Sequence, residues 1–85
     1  VMLPISAYAL AANRHMATYG TTAEELAQIA VDTRRWAAAN PRAHLREQIT
    51  VDDVLDSGFI AEPMHKLECC LVTDGAAAVV VTSAE

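Results

Sequence analysis

Two adjacent cysteines, Cys69 and Cys70, lie four and five residues after His65 and shortly before an Asp74-Gly75 pair. Thiols near an imidazole suggest two chemistries. A thiolate activated by a neighbouring base is a nucleophile, and thiolates joined by an imidazole are zinc ligands. Zinc needs three or four ligands converging on a tetrahedron, a demand that CxxC spacing meets and adjacent cysteines rarely do. The nucleophile is the better chemistry of the two, yet no segment supplies an oxyanion hole or a helix N-terminus behind either sulfur. A third reading is packing, because a free cysteine usually behaves as a small hydrophobe. In an extended stretch, period-two alternation sends Cys69 and Cys70 to opposite faces, so one packs while the other looks onto a cavity.

The remaining candidates have structural explanations close at hand. His15 shares a helical side with Met16 and Tyr19, which suits a packed or partly exposed ring. His44 sits in a polar stretch and reads as solvated. Asp52 and Asp53 fall in the first turn of a short helix, where capping and the helix dipole favour carboxylates, and Asp56 is an exposed position. Arg34-Arg35 fits a solvated helix face better than a phosphate site. Asp74, ahead of Gly75, is placed to cap backbone N–H groups. Residue chemistry alone therefore assembles no catalytic set and no metal site.

The elements that must position these residues begin with two helices. Pro4 suits a first turn, Ile5, Tyr8, Ala9, Ala12, His15, Met16 and Tyr19 recur at helical spacing, and Gly20 is a stop. Thr22 with Glu25 is a capping-box pattern, followed by a stripe of Leu26, Ile29, Ala30, Thr33 and Ala37 that should be buried, with Trp36 beside it. Asn40-Pro41 ends this second helix. Joined through Gly20-Thr21, the two predict a helical hairpin. Residues 41–49 fit a turn of helix or an extended edge equally. Thr50 caps a short helix over 51–57 that Gly58 closes. Pro63 limits 59–72 to extended loop with short strands. After an Asp74-Gly75 turn, the run Ala76 to Thr82 is the single strong strand, apolar on both faces as a buried strand is.

The fold class is thus α/β, mostly helical with one strand, in a chain of 85 residues. A strand of that kind needs neighbours, and none of equal strength is present. The sequence therefore reads as an excerpt of a larger protein, with 76–82 expected to pair outside it or to stay exposed. Six Lys and Arg against eleven Asp and Glu give a net charge of −5, without the basic stripe that nucleic acid requires. No apolar run reaches the roughly 18 residues of a membrane span. Two adjacent cysteines make no disulfide framework, which suits a reducing cytoplasm.

Several stretches in this order carry a family resemblance: Tyr19-Gly20-Thr21-Thr22-Ala23-Glu24, Ile49-Thr50-Val51-Asp52-Asp53-Val54-Leu55, then Pro63, Leu67, Cys69-Cys70 and Thr73-Asp74-Gly75-Ala76-Ala77-Ala78. Together they resemble the middle of a thiolase, more narrowly the sterol-carrier-protein-X type and its thiolase-like lipid-transfer proteins. The resemblance implies an oligomeric five-layered αβαβα fold. Residues 1–60 would be helical loop-domain region, and 61–85 an extended segment with a core strand of the N-terminal half. The family's nucleophilic cysteine lies upstream, and its Gly-His-Pro histidine and second cysteine lie downstream, so no catalytic residue carries over. Cys70 falls where thiolases place a small Ser against the pantetheine of coenzyme A. Tyr19 falls on the acyl-CoA tunnel, with Thr18 where a His is usual and Thr73 in place of an Asn. These departures put ordinary Claisen thiolysis in doubt, and the subfamily includes aldol-type lyases acting on steroid side chains. The implied function is a tunnel-shaping segment of an acyl-CoA acyltransferase, with an acyl-CoA as substrate, no bound cofactor, and a homo-oligomer or partner chain. The alternative is a non-catalytic interaction module that uses a Tyr8/Met16/Tyr19 face.

Overall fold

Pro4 starts the first helix because a helix's first N–H groups have no intrahelical partner, so a missing one costs nothing. In the computed structural model, which describes residues 3–85, this helix is α1, Pro4–Tyr19. It ends at Gly20 with φ 71°, a left-handed conformation that glycine adopts without penalty, and the Gly20 N–H bonds back to the Met16 carbonyl. Thr22 opens α2, Ala23–Ala39, by accepting the Glu25 N–H at 3.2 Å. Asn40, in extended conformation, closes it. Thr50 and Asp53 form the reciprocal box that starts α3, Val51–Leu55: each side chain accepts the other's backbone N–H, at 3.1 and 2.9 Å.

Two short strands follow, β1, Phe59–Ala61, and β2, Met64–His65. They pair antiparallel around Glu62-Pro63, whose peptide bond is cis. A single 3-10 turn, Lys66–Glu68, leads into the cysteines. The structure is about half helical with this one two-stranded sheet.

Three expectations are corrected. First, α1 and α2 do not form a hairpin: α1 packs on β1 and β2, and α2 packs on α3 and the 3-10 turn. Periodicity identifies the inward face of a helix and leaves its partner open. Ile5, Ala9, Ala12 and Met16 do turn inward, and Asn13 Nδ2 donates to the Glu62 carbonyl at 3.3 Å, tying α1 to the strand turn. Second, the stripe on α2 is not buried. The one buried residue of the helix, Ala27, lies off the stripe; Leu26, Ala30 and Ala37 are half-buried, and Ile29, Thr33 and the neighbouring Trp36 are exposed. Third, Ala76 to Thr82 forms no strand and Asp74-Gly75 no turn. Val79, Val80 and Val81 are 83 to 88% exposed, in keeping with a strand that has no neighbour within the chain. The open segment, 41–49, is irregular and stitched to α2 by Arg34 donating to the Glu47 carbonyl at 2.9 Å and Arg46 to that of Ala38 at 3.2 Å.

The core is correspondingly thin: Ala9, Ala27 and Val54 are its buried hydrophobic residues among those described. The radius of gyration is 15.2 Å, against about 12 Å for a compact domain of this length. Val54 is the largest side chain fully enclosed, at 0% exposure. Val54→Ala should therefore lower unfolding stability by about 2 kcal/mol through lost burial and the cavity left behind. A urea midpoint unchanged by the substitution would show that α3 does not hold α2 to the 3-10 turn.

Candidate functional site

The site grows out of the junction between α3 and the cysteines. Ser57 Oγ donates to the Val54 carbonyl at 2.6 Å and accepts the Leu67 N–H at 3.3 Å. Gly58, at φ 81°, turns the chain so that its carbonyl accepts the Lys66 N–H at 2.8 Å. The 3-10 turn is thereby clamped to the end of α3, and its last residue, Glu68, folds back on His65. Glu68 Oε2 accepts the His65 backbone N–H and lies 2.9 Å from His65 Nδ1. A carboxylate only accepts, so Nδ1 carries the hydrogen in this contact. The two side chains are 6% and 5% exposed, and Phe59 covers the imidazole at a centroid distance of 4.5 Å.

Beside this turn lies a groove of about 470 Å³. The α2 stripe of Leu26, Ile29, Ala30, Thr33 and Ala37 forms one wall, and the chain from Leu67 to Leu71 forms the other. Ala43, His44 and Leu45 close one side, and Met64 adds to the lining. The apolar face of α2 thus borders an open groove where a core was expected. Its size is that of ligand clefts, which are mostly apolar with a few placed polar groups.

Both cysteines line this groove and differ in burial. Cys69 is half-buried with Sγ 3.4 Å from the His65 carbonyl, while Cys70 is exposed. Burial pushes the Cys69 thiol above its ordinary pKa, and the negative charges of Glu68 and then Cys70 push the same way. A raised pKa leaves less thiolate at neutral pH, the reverse of what a nucleophile needs. The imidazole of His65 is oriented by Glu68 rather than by a thiol. No group of three His, Cys, Asp or Glu side chains converges as a metal site among the described residues.

Tyr19 and Thr18 do not join Cys70: both are exposed at the end of α1, away from the groove lining. There the Tyr19 ring lies tilted by 51° against His15 at a centroid distance of 4.7 Å, and His15 Nδ1 meets Thr21 Oγ1 at 2.9 Å. Arg34 lines the groove, whereas Arg35 pairs on the surface with Asp32 at 3.2 Å. Asp53 is consumed by its cap, and Asp56 ends α3 by donating its N–H to the Asp52 carbonyl. The Asp74 carboxylate caps nothing among the described residues, contrary to expectation; its carbonyl accepts from Thr73 Oγ1 at 3.3 Å. The residue of this site that sequence reasoning missed is Glu68. Its signal was present in the three-residue spacing His65-x-x-Glu68, the same spacing as Thr50-x-x-Asp53.

Fold and site together define a mixed α/β segment that holds an apolar groove edged by two thiols and one oriented carboxylate. No family model matches the chain, but individual proteins do. An acetyl-CoA acetyltransferase of Methanothermobacter thermautotrophicus is 44% identical over 80 residues, which is 94% of this chain and 21% of that protein. The benzoylsuccinyl-CoA thiolase subunit BbsB of Thauera aromatica is 45% identical over 78 residues, 92% of this chain and 20% of that protein. A steroid side-chain-cleaving aldolase of Thermomonospora curvata is 42% identical over 83 residues, 96% of this chain and 21% of that protein. Over these residues the chain belongs to the thiolase superfamily. It spans about a fifth of the length of the curated relatives it matches.

The raised Cys69 pKa and its burial predict unequal alkylation. At pH 8, iodoacetamide should label Cys70 first, and Glu68→Gln should speed Cys69 by removing a charge that holds its thiolate back. Peptide mass spectrometry over time reads both. Cys69 labelling ahead of Cys70 would contradict this order.

Proposed function

We propose that these residues are a tunnel-shaping segment of a thiolase-like acyl-CoA acyltransferase. The carrying observation is the groove between α2 and residues 67–71, in a chain 44% identical to an acetyl-CoA acetyltransferase. In this reading the groove is a stretch of acyl-CoA tunnel wall, and coenzyme A enters as the carrier of the substrate acyl group. Cys70, exposed on the groove, contacts the pantetheine or the start of the acyl chain. Tyr19 and Thr18 contribute a second stretch of wall at the end of α1. The parent fold is the five-layered thiolase core, in which 76–82 takes its place as a strand and copies associate as a homo-oligomer in the cytoplasm. No helix among the described residues is long and apolar enough to cross a membrane.

The chemistry follows from which side chains are free to act. Neither thiol has a base aimed at it, so bond-making to the acyl group belongs to residues outside this chain. What the chain supplies is an apolar surface that excludes water from the thioester and a fixed width for the acyl group. An apolar lining suits a bulky or branched acyl group, and the Thermomonospora relative, named as a steroid side-chain-cleaving aldolase, keeps aldol-type cleavage of such a group beside acyl transfer in this reading. The reading of the chain as a protein-interaction module draws on one observation: Tyr8 and Tyr19 are 70% and 73% exposed on α1.

Two measurements test the proposal. In the full-length protein, Cys70→Ser should alter KM or chain-length preference by at most about 200-fold, since losing one small pocket contact is worth roughly 1–3 kcal/mol at most. A fall in kcat of about a thousandfold with KM unchanged would make Cys70 a nucleophile instead. The isolated 85-residue chain, in turn, should not turn over acetoacetyl-CoA or longer 3-ketoacyl-CoA esters. Turnover above buffer would place catalytic groups within it.

A further inference from the structure

Cys69 and Cys70 are two thiols for which acyl transfer has no use, since no base is aimed at either. Both border one groove, because the chain from Leu67 to Leu71 forms its second wall. Cys69 is half-buried, and its S–H donates weakly to the His65 carbonyl at 3.4 Å, while Cys70 is exposed. Burial, then Glu68, then Cys70 raise the Cys69 thiol pKa, so the second sulfur is close enough to be felt by the first.

The backbone constrains what can join the two sulfurs. Cys69 is extended, at φ −101° and ψ 143°, and neighbouring side chains of an extended chain diverge. A disulfide demands sulfurs about 2.05 Å apart at a fixed dihedral, which adjacent extended residues reach only under strain. A single atom bonded to both sulfurs spans a wider gap. Zinc suits that place poorly: it wants three or four ligands, and no third side chain completes a set among the described residues. Trivalent arsenic is soft, as thiols require, and takes two sulfurs while keeping one substituent of its own. The groove selects that substituent. Leu26, Ile29, Ala30 and Leu71 line it with the thiols, an apolar surface that accepts an aryl or alkyl group better than a hydroxide.

We propose that Cys69 and Cys70 form a dithiol site for a trivalent organoarsenical whose carbon substituent sits in the groove. With an arsenoxide, R–As=O, the step is a condensation. Both S–H bonds and the As=O bond break, two As–S bonds form, and the two protons leave with the oxygen as one water. Arsenic stays trivalent, so no oxidant or reductant takes part. Both thiols enter protonated, so the raised Cys69 pKa does not oppose the overall reaction, and the bridged product is neutral beside Glu68. The assignment needs only the two sulfurs and the groove, and it stands apart from the acyl-CoA reading.

The experiment treats the full-length protein, reduced and then freed of reductant, with phenylarsine oxide and separately with sodium arsenite. Trypsin cuts after Lys66, so both sulfurs fall in the one peptide that begins at Leu67, where mass spectrometry locates the adduct. The wild-type peptide should carry one phenylarsenic group in place of two thiol hydrogens. Excess glutathione, a monothiol, should not remove it, and ethanedithiol should. Cys69→Ser and Cys70→Ser should each weaken retention by about tenfold or more, because a second As–S bond on the same chain forms at high effective concentration. Unfolding in guanidinium should weaken phenylarsine oxide by about tenfold or more and arsenite less, since only the phenyl ring loses its apolar seat. No adduct on this peptide, full retention in either variant, or equal binding of phenylarsine oxide by native and unfolded chains overturns the site. The wild-type native and unfolded arms decide even where a variant does not fold.

Discussion

Glu68 folding back onto His65 is the contact on which the geometry of the groove depends. It closes a turn too short to be held by helical hydrogen bonding alone, and it does so with a buried, charged acceptor. Burying a carboxylate is costly unless donors meet it, and removing one partner of such a pair is more damaging than never having built it. Ser57 and Gly58 brace the same turn from the side of α3 through the Leu67 and Lys66 N–H groups. With both ends fixed, the direction of the chain through Cys69 and Cys70 is set. Half-burial of the first thiol and exposure of the second follow from that direction.

Around this contact the packing is sparse. Among the described residues the buried hydrophobic ones are two alanines and a valine, on three different helices, and they bring backbones close without filling much volume. Larger apolar groups stand at the rim: Ile29, Leu45 and Leu71 are all exposed at the groove. A chain of this length ordinarily has little apolar area to spare on open walls. That so much of it faces a cleft is the physical reason to see the cleft as a surface meant to be covered.

Local signals were legible in the sequence, and tertiary ones were not. Gly20, Thr22, Asn40 and Thr50 mark helix ends within a residue of where they fall, because a cap is a bond between near neighbours. Pro63 restricts its stretch to short strands, as found. The helical hairpin failed because an apolar stripe says which way a helix faces and nothing about what it meets. The strand over 76–82 failed because β-branched residues favour a sheet only when a sheet is present to join. Of the expected wall residues, Cys70 lines the groove, and Tyr19 and Thr18 lie apart from it. Glu68 went unnoticed because a single acidic residue beside two thiols draws no attention until its partner's distance is known. Membership of the superfamily over these residues rests on similarity along most of the chain, which no single motif supplied.

The exposed run from Val79 to Val81 also bears on how this chain behaves in a tube. Three consecutive β-branched residues, preceded by three alanines and without charge or proline between Asp74 and Glu85, present an unpaired backbone to solvent. Such a stretch is a template on which another copy can add as a strand, and the copy after that on the new edge. Growth of this kind depends steeply on concentration and needs no unfolding of the helices. The solubility of these 85 residues is therefore governed by their last dozen or so, where a single lysine in place of Val80 would act as a gatekeeper without touching the groove.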